Sequence, residues 1–100
     1  MAEIVWSPQA ISDVEAIKAY ISRDSAHYAQ LVVDRLIAAV ERAGAFPESG
    51  RMVPEVGDPS VREILWRRYR VVYRVRGSEV QIVTVFHGAM LFPGGSTASG

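Results

Sequence analysis

The stretch Tyr69–His87, YRVVYRVRGSEVQIVTVFH, decides the fold because it holds two β-prone runs joined by a tight turn. The runs cover about residues 69–76 and 79–86, and the intervening RGSE at 76–79 is typical of a hairpin turn. A similar run, at about residues 61–66, precedes them. The sequence therefore predicts three consecutive antiparallel strands.

The alternation of side chains along this hairpin predicts two different faces. In the first run one face carries Tyr69, Val71, Tyr73 and Val75, and the other carries Arg70, Val72, Arg74 and Arg76. In the second run one face carries Val80, Ile82, Thr84 and Phe86, and the other carries Gln81, Val83, Val85 and His87. Because both faces are partly apolar, we expect helices to cover one while something else binds or folds over the other.

The N-terminal half predicts a short strand followed by two helices. Residues 3–6 (EIVW) are β-prone, and Ser7 followed by Pro8 is typical of an N-cap and a first helical position. Apolar side chains then recur at helical spacing to about Ser22. The apolar positions of this first helix are Ile11, Val14, Ile17 and Ile21.

Ser25 is a second N-cap candidate, and the helix that it begins is expected to run to about Ala43. Gly44 is the expected residue just beyond its end. The predicted buried stripe of this helix comprises Tyr28, Leu31, Val32, Leu36, Ala39, Val40 and Ala43. Such a short connection between two helices predicts an antiparallel helical hairpin.

The segment AFPESGRMVPEVGDPS, residues 45–60, is rich in proline and glycine and predicts a loop. We expect Phe46, Met52 and Val53 to pin it to the core. The whole is an α+β domain of order β-α-α-β-β-β, in which a helical hairpin packs on an antiparallel sheet. The domain is expected to span residues 1–92, followed by a flexible tail at 93–100.

Composition excludes several classes of function. The 100 residues carry zero formal net charge and no cysteine, which rules out disulfides, thiolate chemistry and cysteine-based zinc sites. No metal or cofactor is expected. No apolar run approaches the ~18 residues of a membrane span, and we expect a soluble, cytoplasmic protein. Six arginines concentrated between residues 61 and 76 indicate a local anion-facing surface.

Four motifs follow one another along the chain: VWSPQAISDVEAIKAYI from Val5, FPESGRMVPE from Phe46, VREI…RYRVVYRV from Val61 and VTVFHGA from Val83. In this order and spacing they resemble the ParE/RelE superfamily of type II toxin–antitoxin toxins. The resemblance runs from about Ile4 to Leu91. It implies a small bacterial toxin that a labile antitoxin holds silent.

The superfamily includes two activities. RelE-like members cleave messenger RNA at the ribosome without a metal, and ParE-like members poison DNA gyrase. A RelE-like site would use Arg70 as the strand arginine and His87 as the acid or base, since alternation allows both on one face. After His87, however, the sequence supplies none of the tyrosine, lysine or arginine residues usual in the ribonucleases. We therefore expect the ParE-like activity, without catalytic residues.

The arginine face is expected to bind a ParD-like antitoxin in a hetero-oligomer rather than nucleic acid. The expected partner-binding residues are Trp66, Arg68, Arg70, Arg74, Val33 and Ile37. Arginine forks suit the carboxylates of an acidic chain, and the two aliphatic residues would line an apolar groove. Trp66 is equally suited to core packing, and the arginines to a merely solvated face.

Overall fold

The computed structural model describes residues 1–88, which form one mixed sheet covered on one face by two helices. The elements are β1 (Glu3–Trp6), α1 (Pro8–Ser22), α2 (Ala26–Ala45), β2 (Arg51–Met52), β3 (Val61–Trp66), β4 (Tyr69–Arg76) and β5 (Glu79–His87). The predicted α+β class and element order are confirmed, with β2 as an additional two-residue strand inside the loop. The predicted tail at 93–100 lies outside the described residues.

The strands are ordered β1-β5-β4-β3-β2 across the sheet. Strands β2 to β5 pair antiparallel, as the hairpin signals predict, whereas β1 pairs parallel to β5. The helical hairpin provides the long crossover that a parallel pair requires. The sheet is therefore mixed rather than purely antiparallel.

Both predicted helix starts are confirmed by their caps. The Oγ atoms of Ser7 and Ser25 accept hydrogen bonds from the backbone N–H groups of Ala10 and Tyr28, each at 3.0 Å. These bonds satisfy N–H groups that have no partner within the helix. No helix in the described part of the chain is long and apolar enough to cross a membrane.

The predicted end of α2 is wrong, because the helix continues through Gly44 to Ala45. The glycine serves close packing instead of ending the helix. A Cβ on Gly44 would lie 2.6 Å from Cδ1 of Ile4 in β1, and the Gly44 carbonyl accepts a 2.9 Å hydrogen bond from the N–H of Ala2. The missing side chain of Gly44 thus leaves room for the Ile4 side chain against the helix; a larger residue would require Ile4 to move.

The main core lies between the helices and the inner face of the sheet. Its buried members include Ala10, Val32, Leu36, Val40, Val71, Tyr73, Val80 and Ile82. The apolar periodicity of the two helices predicts most of their buried residues, but it assigns to the core some residues that lie at the exposed borders of the apolar stripes. Ile11, Tyr28 and Leu31, expected in the core, are 47%, 44% and 39% exposed.

The loop between α2 and β3 covers part of the outer face of the sheet. Val53 from the loop is fully buried in a second cluster with Val61, Val72 and Phe86. The prediction that Val53 pins the loop is confirmed, but Phe46 and Met52 are exposed. The outer face of the sheet, for which a second cover was predicted, is therefore partly covered by this loop of the same chain.

A β-bulge at Val83 reverses the predicted faces of β5 beyond it. Tyr73 pairs with Ile82 but Val72 pairs with Thr84, so Val83 has no partner in β4. One extra residue shifts the side-chain alternation by one position. Consequently Val85 joins the inner core, and Phe86, expected beside Ile82, joins the outer cluster.

Candidate functional site

The outer face of the sheet holds a charge cluster centred on Arg70. Its Nε donates to Oε1 of Glu63 at 2.6 Å, and its Nη1 and Nη2 donate to the two carboxylate oxygens of Glu55 at 2.9 and 2.8 Å. Such a fork-to-carboxylate pair is the strongest geometry available to arginine. Arg70 is only 9% exposed.

The expectation that Arg70 projects outward toward a partner is therefore wrong. Its guanidinium lies between two carboxylates of the same chain and 5.1 Å from the centre of the Phe86 ring. The physical reason is that a largely buried positive charge requires a local counter-charge. Whether Arg70 also contributes to partner binding stays a prediction.

Glu63 is the buried centre of the cluster. Its side chain is fully buried, and its Oε2 accepts a 2.6 Å hydrogen bond from Nε of Arg51 while Oε1 binds Arg70. Two arginines thus neutralise one carboxylate inside the sheet. The register places Glu63 opposite Arg51 in β2 and Val72 in β4.

The cluster holds its members charged. Hydrogen bonds from Arg70 lower the pKa of Glu55 to about 2. The Glu55 carboxylate in turn raises the pKa of Arg70 above its ordinary value, with Glu63 adding to the effect. Both groups are ionised throughout the physiological range.

Neither Glu55 nor Glu63 was among the residues predicted for the site. Glu55 is 15 residues from Arg70 in an irregular loop, so no periodicity connects them. A weak signal for Glu63 is present, since it is the one carboxylate inside the otherwise apolar and basic run VREILW. A buried carboxylate in such a strand demands a positive partner.

Beside this cluster lies a basic pocket of about 300 Å³ at the end of the sheet. We call it the arginine pocket; its lining includes Arg51, Leu65, Arg67, Arg68, Arg70 and His87. Arg67 and Arg68 form the turn between β3 and β4, and both are exposed. Among residues 1–88, the only ion pairs are those of Arg51 and Arg70, so Arg67 and Arg68 give this pocket an excess of positive charge.

His87 borders the same pocket but leaves the sheet on the opposite face from Arg70. It pairs with Tyr69 in the register, whereas Arg70 pairs with Phe86. Its ring meets that of Tyr69 edge-on at 5.5 Å between centroids. The expectation that Arg70 and His87 share a face is wrong because the bulge at Val83 shifts the alternation.

Trp66 packs against the core, which is one of the two roles considered for it. It is half-buried against the main core and stacks on Tyr69 with 6.3 Å between ring centroids. The guanidinium carbon of Arg67 lies 5.3 Å from the Trp66 ring centre, in a cation–π contact. The role of Trp66 in binding a partner stays a prediction.

Arg74 is half-buried on β4, opposite Gln81 and Val61. The pKa of Asp58 is lowered chiefly by a hydrogen bond from the backbone N–H of Ser60, and the charge of Arg74 lowers it further. Arg74 therefore lies near the base of the loop, away from the arginine pocket. Its predicted contact with a partner stays untested.

The two aliphatic residues predicted to line a groove differ in exposure. Val33 is only 8% exposed and presents little surface to a partner; its predicted role in binding stays untested. It is buried on α2 but belongs to neither of the two core clusters. Ile37, at 39% exposed, presents apolar surface on α2 and remains a candidate contact.

A larger apolar groove of about 470 Å³ lies between α1 and the end of the sheet. Its lining includes Ile17, Tyr20, Tyr69, Val85 and His87. Tyr20 is 69% exposed at its rim. Among the described residues, no group of histidines and carboxylates is arranged to hold a metal ion.

Comparison with known proteins places the chain among toxins of type II toxin–antitoxin systems. Residues 4–92 match the family model described as the ParE toxin of the type II toxin–antitoxin system parDE. Toxin RelE2 of Caulobacter vibrioides is 34% identical over 92 residues, which cover 91% of this chain and 100% of the relative. The toxin Y4kP of Sinorhizobium fredii, itself named putative, is 33% identical over 92 residues, covering 90% and 92%.

A solved structure, described as the chromosomal ParDE TA system from P. aeruginosa, has the same fold. The superposition gives a TM-score of 0.71 at 26% identity and covers 87% of this chain and 96% of the other. The likeness thus extends over the helical hairpin and the sheet together.

Proposed function

The chain belongs to the ParE toxin family of type II toxin–antitoxin systems, and from this premise we propose that it inhibits DNA gyrase by direct protein contact. A cognate ParD-like antitoxin neutralises it in a hetero-oligomeric complex. The proposed interactions with gyrase and with the antitoxin take place in the cytoplasm. The observation that carries the proposal is the engagement of Arg70 by Glu55 and Glu63.

Metal-free RNA cleavage needs a cation and an acid–base group that converge on one phosphate. The guanidinium of Arg70 is held by two carboxylates, and His87 leaves the other face of the sheet. This arrangement favours a structural role for Arg70 over transition-state stabilisation. It supports the protein-contact activity.

Exposed apolar side chains beside uncompensated arginines support the partner-binding half of the proposal. The groove next to Tyr20 supplies apolar surface, and Arg67 and Arg68 supply positive charge close by. A disordered acidic antitoxin that folds on binding would use both kinds of surface.

A ribosome-dependent ribonuclease is the second candidate. It is favoured by the shared position of Arg70 and His87 around the arginine pocket and by the name of the RelE2 relative. The two activities leave different marks in a cell that produces the toxin. Gyrase poisoning causes filamentation and DNA-damage signalling while translation continues, whereas messenger cleavage stops translation within minutes.

The test combines induced expression in a bacterial host with a supercoiling assay on purified gyrase. We expect filamentation, inhibited supercoiling and intact transcripts, and restored growth when a cognate ParD-like antitoxin is co-expressed. His87→Ala should retain toxicity, as should the control His27→Ala at the exposed start of α2. Cleaved transcripts that disappear with His87→Ala alone would establish the ribonuclease instead.

A further inference from the structure

The two carboxylates that hold Arg70 differ in their access to solvent. The Glu63 side chain is fully buried on β3, but the Glu55 side chain is 37% exposed on the loop between β2 and β3. A buried strand residue cannot leave without unfolding the sheet. A solvent-facing loop residue can leave by rotating its side chain.

The loop does not depend on Glu55 for its attachment to the sheet. Val53 is fully buried, and its N–H donates to the carbonyl of Val61 at 3.2 Å. The Val53 carbonyl accepts hydrogen bonds from the N–H groups of Val56 and Gly57, at 3.1 and 2.9 Å. The turn that carries Glu55 therefore stays in place if its carboxylate moves away.

Arg70 remains oriented when Glu55 is absent. Its Nε is bound by Glu63, which directs Nη1 and Nη2 toward the position of the Glu55 carboxylate. A guanidinium fixed in this way loses little conformational entropy when a new carboxylate binds. The protein thus contains a pre-organised carboxylate site with its own resident carboxylate.

The surroundings of this site favour an acidic chain. Arg70 borders the arginine pocket, where Arg67 and Arg68 are exposed and lack carboxylate partners among residues 1–88. One incoming carboxylate can take the fork of Arg70 while others meet the two turn arginines. The resident group is a planar carboxylate, and buried Glu63 disfavours a more highly charged phosphate at this point.

On the basis of the proposed neutralisation by an antitoxin, we propose that Glu55 is a placeholder that a carboxylate of an acidic partner segment replaces at Arg70. The exchange swaps one bidentate ion pair for another. Arg70 therefore has two carboxylate partners before and after the exchange, with Glu63 as the constant one. Glu55 competes with the partner and keeps the free protein stable.

If Glu55 competes with the partner for Arg70, removing the Glu55 carboxylate should strengthen partner binding and not weaken it. Removing the carboxylate in Glu55→Gln should strengthen binding of a labelled hexaglutamate peptide by roughly 3- to 10-fold, because the fraction of protein with an available fork rises. Arg70→Lys should weaken binding, since an ammonium lacks the fork. Glu48→Gln, an exposed substitution in the segment between α2 and β2, should leave binding unchanged. Affinities are read from fluorescence anisotropy, with circular dichroism to verify folding.

Hexaglutamine and an oligonucleotide of equal charge are the comparison ligands. Equal or weaker hexaglutamate binding by Glu55→Gln and by a second variant, Glu55→Ala, would overturn the exchange. Tighter binding of the oligonucleotide than of hexaglutamate would also overturn it, in favour of a phosphate site.

The same variants are then titrated with a cognate ParD-like antitoxin that neutralises the toxin in cells. Tighter antitoxin binding by Glu55→Gln confirms that the exchange accompanies neutralisation, and unchanged binding contradicts it. Failure of the unmodified protein to bind this antitoxin would instead contradict the proposed function. Hexaglutamate binding distinguishes these two failures.

Discussion

The carboxylate of Asp13 in α1 accepts a 2.6 Å hydrogen bond from Oγ1 of Thr84 in β5, across 71 residues of chain. The same oxygen accepts the backbone N–H of Val85 at 3.0 Å. Strand β1 pairs with β5 only as far as Ile82, so beyond the bulge Asp13 takes the place of a neighbouring strand. The Asp13 side chain of α1 thus accepts a hydrogen bond from a backbone N–H of β5 at a point where β1 no longer pairs with this strand.

Asp13→Ala should destabilise the fold by about 2 kcal/mol, since it leaves a buried N–H and a buried hydroxyl without their acceptor. Urea unfolding followed by circular dichroism measures the change. The matched control is Glu15→Ala, an exposed carboxylate in the same helix, which should cost less than about 0.5 kcal/mol. Equal effects of the two substitutions would contradict a special role for Asp13.

Tyr73→Phe should release the start of the loop from the core. The Tyr73 hydroxyl donates to the carbonyl of Pro47 at 2.8 Å and accepts the N–H of Gly50 at 2.9 Å. Losing both should cost about 1–3 kcal/mol and speed amide exchange at Gly50. Tyr20→Phe, at a largely exposed tyrosine, serves as the control; slow exchange at Gly50 in both variants would refute the prediction.

Glu63→Gln should be among the most damaging single substitutions. It leaves the largely buried Arg70 and the exposed Arg51 facing a neutral amide, and breaking a buried charge pair in this way costs about 3–5 kcal/mol. Thermal unfolding measures the loss. Glu41→Gln, exposed on α2, should change little. A loss below about 1 kcal/mol would mean that Glu63 contributes no more than a surface carboxylate.

The Glu55–Arg70 pair should contribute stability that depends on pH in the acid range. The pKa of Glu55 falls from its ordinary 4.5 to about 2 in the folded protein, so the folded state favours the ionised carboxylate. This contribution is complete above pH 4.5 and is lost as the pH falls toward 2.

At neutral pH we expect the protein to be about 1 kcal/mol more stable than Glu55→Gln, a value discounted for the partial exposure of Glu55. The difference should disappear near pH 2 in urea titrations at stepped pH. A difference that stays constant from neutral pH down to this value would show that Glu55 acts without its charge.

Arg67→Gly should stabilise the hairpin between β3 and β4. Arg67 has a φ of 54°, a left-handed conformation that favours glycine over a branched or long side chain. Relief of this strain should raise the free energy of unfolding by about 1 kcal/mol. The loss of the cation–π contact between Arg67 and Trp66 reduces this gain. Arg68→Gly, at the neighbouring turn position, should not stabilise. Equal effects would show that Arg67 stores no strain.

Local patterns in the sequence determined the elements and their order. Ser7 and Ser25 cap the helices where predicted, and RGSE forms the predicted turn between β4 and β5. These features depend on residues within a few positions of one another, so the residues alone specify them. The motifs also carried the resemblance to the family that residues 4–92 match.

Only the tertiary structure decided which faces the functional side chains occupy. One residue without a partner in β4, Val83, reverses the alternation along β5 and places His87 and Arg70 on opposite faces, although both border the arginine pocket. The counter-charge of Arg70 comes from Glu55, in a loop with no periodicity. The alternation of side chains along a strand predicts which face of the sheet each one occupies only while the strand pairing is regular. The strength of an ion pair depends on the distance between the two charges in space and not on their separation along the chain. Neither the bulge nor the loop conformation has a local signature in this chain.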